Sequence, residues 1–66
     1  MTRSELRDWC NTMQGKPHRL AINGTNYCKY VWNDGTTYEF KIKEWSTLHK
    51  ESNVYINGKL VYTFTE

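Results

Sequence analysis

Three dipeptides set the frame for this chain: Asn23-Gly24, Asp34-Gly35 and Asn57-Gly58. Each is a favoured pair for a two-residue type I′ hairpin turn, whose twist matches that of the strands it joins. Read this way, the three turns predict an antiparallel meander with defined cross-strand pairs. At the first turn Ile22 faces Thr25 and Leu20 faces Tyr27. At the second, Val31 faces Tyr38, Lys29 faces Phe40 and Tyr27 faces Ile42. Both registers place Leu20, Ile22, Tyr27, Val31, Tyr38, Phe40 and Ile42 on one side of the sheet, with Lys29 as the exception. A slip of one residue would scatter that set over both faces. The other side then carries Arg19, Ala21, Cys28, Tyr30, Trp32, Thr37, Glu39, Lys41 and Lys43.

The third turn pairs Ile56 with Lys59, Tyr55 with Leu60 and Val54 with Val61. Both faces of this last hairpin are then apolar: Val54, Ile56 and Val61 on one, Tyr55, Leu60, Tyr62 and Phe64 on the other. An antiparallel sheet that meets water has one polar face. The expectation is therefore a hairpin covered on both sides in a rolled, barrel-like sheet, or one with a side left for a partner. Residues 44–52 break the alternation, and a connection of that length leaves the third and fourth strands free not to be neighbours.

Ahead of the sheet, Leu6, Trp9, Cys10 and Met13 recur at i, i+3, i+4 and i+7, the period of an amphipathic helix over about 3–14. Thr2 and Glu5 form a capping-box pattern, and Gly15 followed by Pro17 closes the helix. The opening Thr-Arg, Glu-Leu, Cys and closing Gly resemble the first helix of the double-wing DNA-binding family. That family is longer, the rest of this chain departs from its pattern, and no fold or function is carried over. The fold class is α+β: one domain over 1–66, an N-terminal amphipathic helix packed on a five-stranded antiparallel meander, open or rolled.

The 66 residues bury little: a chain of this size hides only about 60% of its unfolded surface. No apolar run approaches the ~18 residues that cross a bilayer, and no signal-peptide core is evident, so the expectation is a cytoplasmic protein without a membrane partner. Cys10 and Cys28 then read as free thiols. With His18 and His49 they offer four zinc ligands, but no close pair of the kind structural zinc sites use. Nor does the chain contain a nucleophile motif, a carboxylate pair or a phosphate-binding glycine loop. We therefore expect no enzyme, no catalytic residue, no metal and no cofactor.

What remains is surface. In the register above, Tyr30, Trp32, Lys41 and Lys43 share a sheet face, with Trp45 and Arg19 at its margins. Trp, Tyr and Arg dominate protein–protein hot spots, and aromatics between cations also stack bases. Large aromatics in so short a chain equally serve packing, which would make this face core. A net charge of +2, with Glu39 within the face, is low for a nucleic-acid module. The expected function is a small protein-binding modulator or inhibitor of the kind phages and mobile elements carry as accessory proteins. Nucleic-acid binding through the same face is the alternative, and homodimerisation through the C-terminal hairpin or the edge of a strand a third expectation.

Overall fold

The computed structural model describes residues 1–65, one helix and five strands in chain order: α1 (Arg3–Met13), β1 (His18–Asn23), β2 (Tyr27–Trp32), β3 (Thr37–Glu44), β4 (Lys50–Ile56) and β5 (Lys59–Thr65). The strands form one antiparallel sheet in the order β1-β2-β3-β4-β5. It is open rather than rolled into a barrel, with β1 and β5 as free edges.

The helix forms as its capping pattern predicts. The Glu5 N–H donates to Thr2 Oγ1 at 3.2 Å, and the Thr2 N–H donates to Glu5 Oε1 at 2.9 Å. These bonds hold the Glu5 carboxyl below its ordinary range, the bond from the Thr2 backbone foremost. Gly15, at φ +91°, takes the left-handed turn that ends the helix.

The turns are where expectation and structure part. Only Asn57-Gly58 is a two-residue turn with both residues at positive φ, 53° and 81°. The Asn57 N–H donates to the Thr37 carbonyl and its side-chain oxygen accepts from the Thr37 N–H, both at 3.0 Å, tying this turn to β3. Around the first turn, Gly24 donates to the Tyr27 carbonyl at 2.7 Å, so the loop is Thr25-Asn26. Gly24 serves close approach instead: an added Cβ would lie 3.2 Å from the Tyr27 oxygen. Leu20 now faces Val31 rather than Tyr27, an even displacement that leaves every side chain on its expected face. Towards the strand's start a bulge at Arg19 resets the alternation, and His18 faces Trp32 on the side that carries Cys28.

The second turn slips by one. The Trp32 N–H donates to the Thr36 carbonyl at 2.9 Å across a three-residue loop, Asn33-Asp34-Gly35, with Gly35 at φ +91°. Val31 faces Thr37, Tyr30 faces Tyr38, Lys29 faces Glu39 and Cys28 faces Phe40. The expected face containing both Val31 and Tyr38 is therefore not formed. Within residues 44–52, Glu44 ends β3 and Lys50 opens β4. The two pair, so β3 and β4 are neighbours joined by a short non-strand turn over 45–49, where the Trp45 N–H donates to the His49 carbonyl at 3.0 Å.

These registers sort the apolar residues. One face carries the rows Ala21–Tyr30–Tyr38–Ile56 and Cys28–Phe40–Val54–Tyr62, with Ile42, Ser52 and Phe64 beside them. A bulge at Val61 brings Tyr62 opposite Val54, so the last hairpin keeps Val54, Ile56, Tyr62 and Phe64 together. The two-sided apolar hairpin expected from a regular pairing is thus corrected by one extra residue. Helix α1 lies on this face: Leu6 and Met13 are buried with Val54, which is 1% exposed, and Trp9 meets Trp32 edge-on and stacks on Tyr38.

Val54→Ala should cost about 2 kcal/mol, read as a lower urea midpoint at unchanged m-value. Gly58→Ala should cost about 1 kcal/mol through its positive φ, although a Cβ there meets nothing within 4 Å.

Candidate functional site

The sheet has one covered face and one open face, and the six residues expected to form a single site are divided between them. Tyr30 and Trp32 lie on the covered side: Tyr30 and Trp32 rings are 6.0 Å apart, and Trp32 is 5.7 Å from Trp9. The Tyr30 hydroxyl donates to Asn23 Oδ1 at 2.8 Å. Lys41 and Lys43 point to the open side, where they face Asn53 and Glu51. Trp45 continues the alternation past β3, with its ring 5.7 Å from the Lys43 ammonium. Arg19 occupies the β1 bulge with no partner residue on β2. The shared face of Tyr30, Trp32, Lys41 and Lys43 is therefore corrected by the one-residue slip at Asn33–Gly35.

The open face has its own aromatic–basic cluster: Glu39, Lys41 and Lys43 stay together as expected, and Tyr27 and Lys29, expected on the opposite side, join them. Across the sheet run two rows, Tyr27–Lys41–Asn53–Thr63 and Ile22–Lys29–Glu39–Tyr55–Leu60. The Lys41 ammonium lies 5.2 Å from the Tyr55 ring centre and 6.0 Å from that of Tyr27, within the range where a cation is drawn to an aromatic face. It also stands 3.7 Å from Glu39 Oε2, which accepts from the Tyr27 hydroxyl at 3.2 Å. Partial burial and then the Glu39 contact push the Tyr27 phenol up from its ordinary value. Thr63 donates to Asn53 at 3.0 Å. Tyr27, Glu39, Lys41, Asn53 and Thr63 thus have partners within the face, while its rim is apolar and solvent-facing: Leu20, Ile22, Leu60 and Trp45 are all exposed.

The signal for this arrangement lay in Lys29. In the two-residue reading it is stranded opposite Phe40. In the three-residue reading it faces Glu39, an opposite-charge pair, and Tyr30 and Trp32 join Tyr38 and Phe40 under the helix.

On the covered side, two clefts flank the helix. One, of about 380 Å³, lies between its second half and the sheet, lined by Trp9, Met13, Lys16, His18, Tyr30 and Trp32. The other, of about 550 Å³, has Leu6, Phe40 and Phe64 as floor and Arg3 and Arg7 at its rim. Cys10 reaches both, and burial pushes its thiol up, which disfavours the thiolate a nucleophile requires. Among the described residues no three of His, Cys, Asp or Glu converge as metal ligands, and no helix is long and apolar enough to cross a membrane.

Fold and face together define a two-layer α+β domain with a free, mixed-charge sheet surface. Compared with protein-family models, curated proteins and solved structures, the chain matches none.

Two measurements check which face is covered. Acrylamide should quench Trp45, 56% exposed, far more readily than Trp9 or Trp32, so Trp45→Phe should remove the quenchable part of the emission. Burial, and then Cys10, Cys28 and Tyr30 nearby, push the Tyr38 phenol up to about 12. A raised folded-state value favours the neutral phenol, so this contribution to stability is complete below an unfolded tyrosine's value of about 10 and lost as pH rises towards about 12. Tyr38→Phe should move the alkaline unfolding midpoint, followed by circular dichroism, to higher pH.

Proposed function

We propose that this domain is a non-catalytic protein-binding module, a modulator or inhibitor that docks its open sheet face on a partner. The observation that carries the reading is the row Ile22–Lys29–Glu39–Tyr55–Leu60: aliphatic at both ends, charged in the middle, with no layer of the described residues above it. A surface of this kind suits a partner patch that is itself apolar and acidic. Lys29, Lys41 and Lys43 outnumber Glu39 and Glu51 on the face, and Tyr55 and Trp45 supply the flat anchors that dominate hot spots. Free Cys10 and Cys28 fit a reducing, cytoplasmic setting, and an accessory protein of a phage or mobile element fits the small size.

One observation favours nucleic acid as a second reading: Trp45 and Lys43 sit side by side, so a base could stack where a phosphate is also met. Against it, Lys41 is engaged by Glu39 and two tyrosines.

The test takes proteins captured from a native host on the immobilised domain and measures the affinity of the purified candidate. Tyr55→Ala and Trp45→Ala should each weaken a true partner by about thirtyfold, the loss of a ~2 kcal/mol anchor, with unchanged circular dichroism. Retention of full affinity by both variants sinks the open-face reading. If short single-stranded oligonucleotides bind instead, with a log–log salt slope of about −2 for three lysines, the nucleic-acid reading replaces it.

A further inference from the structure

We infer that two copies of this chain join edge to edge through β1, in antiparallel register about a two-fold axis at Ala21. The argument begins with which backbone groups of β1 are free. Gly24 donates to the Tyr27 carbonyl, so these two form a hydrogen-bonded pair. Bonded and non-bonded pairs alternate along an antiparallel ladder, which makes Ile22–Lys29 and Leu20–Val31 bonded pairs. The N–H and C=O groups of Ala21 and Asn23 therefore point away from β2, along the open edge of the sheet.

The side chains select a register. Leu20 and Ile22 are 42% and 41% exposed, and every residue of β1 is exposed. They lie on the open face, at the outermost strand. With Ala21 facing Ala21 of the second copy, Leu20 of each copy faces Ile22 of the other and Arg19 faces Asn23. A centre at Leu20 sets Ile22 against His18, and one at Ile22 sets Leu20 against Gly24. Centres at Arg19 or Asn23 leave neither aliphatic with an apolar partner, and the former opposes two guanidinium groups. Among the two-fold registers, only the Ala21 centre gives both exposed aliphatics an aliphatic partner. It also avoids facing like charges, which destabilise a cross-strand pair.

At the other edge, the β5 ladder is interrupted by the Val61 bulge, a device that blunts edge pairing. The β1 bulge at Arg19 limits the regular part of the ladder to Leu20–Ile22 of each copy, with Asn23 meeting the bulged Arg19 at its ends. Pairing over so few residues buries much less than the ~1,600 Å² of a standard stable interface. The dimer is accordingly a weak one. Joining two sheets this way makes their open faces continuous and gives one partner-binding surface across ten strands.

Sedimentation of the full chain from micromolar to millimolar concentration should show a monomer passing into a dimer. Amide exchange should slow at Ala21 as the concentration rises, while Leu20 and Ile22, already bonded to β2, change little. Ala21→Pro removes only an outward-facing donor, and proline is tolerated at such edge positions, so the variant should stay folded and monomeric. Ile22→Lys supplies a second route should the proline disturb β1, and it should weaken the dimer at least tenfold. A chain that stays monomeric to millimolar concentration, a dimer that survives both substitutions, or dimerisation without slower exchange at Ala21 would overturn the inference.

Discussion

One helix can cover one face of a sheet, and the architecture of this domain follows from that limit. Leu6 and Met13 bury themselves against a sheet whose most sheltered residue is Val54, and Trp9 extends the contact to Trp32 and Tyr38. The apolar side chains compete for that single shelter. Registers are settled by which arrangement brings the largest set beneath the helix, since burial of apolar area is the main favourable term in so small a chain.

Local preference and this global demand agree at some turns and conflict at others. The helix was legible residue by residue, because its period, capping box and terminal glycine are short-range signals. The Asn57-Gly58 turn was equally legible, as both residues adopt the left-handed conformation they favour. At Asp34-Gly35 the same dipeptide serves a three-residue loop, for which a left-handed glycine is just as suitable. Nothing within the loop distinguishes two residues from three. The tertiary preference for gathering Cys28, Tyr30 and Trp32 with Phe40 and Tyr38 does, and Lys29 opposite Phe40 was its trace in the sequence.

The candidate site inherits that ambiguity. Its residue types were legible as aromatic and basic side chains in alternation, but membership was not, because β2 and β3 carry such residues on both faces. Tyr30 and Trp32 went to packing and Tyr27 and Tyr55 to the surface, with Lys41 between them. The bulges at Arg19 and Val61 were invisible for a different reason. A bulge has no residue signature of its own here, and each becomes apparent only once both flanking pairs are known.

The three-residue loop at Asn33–Gly35 decides which side chains of this small protein meet the helix and which meet the solvent. Point substitutions in the strands change its chemistry one side chain at a time. Loss of a single loop residue would rotate the β1–β2 hairpin's side chains through the plane of the sheet and offer the outside world a different set of rings and charges. The residues that would be turned outward, Tyr30 and Trp32 among them, are those the helix now covers, so loop length and core are tied to each other.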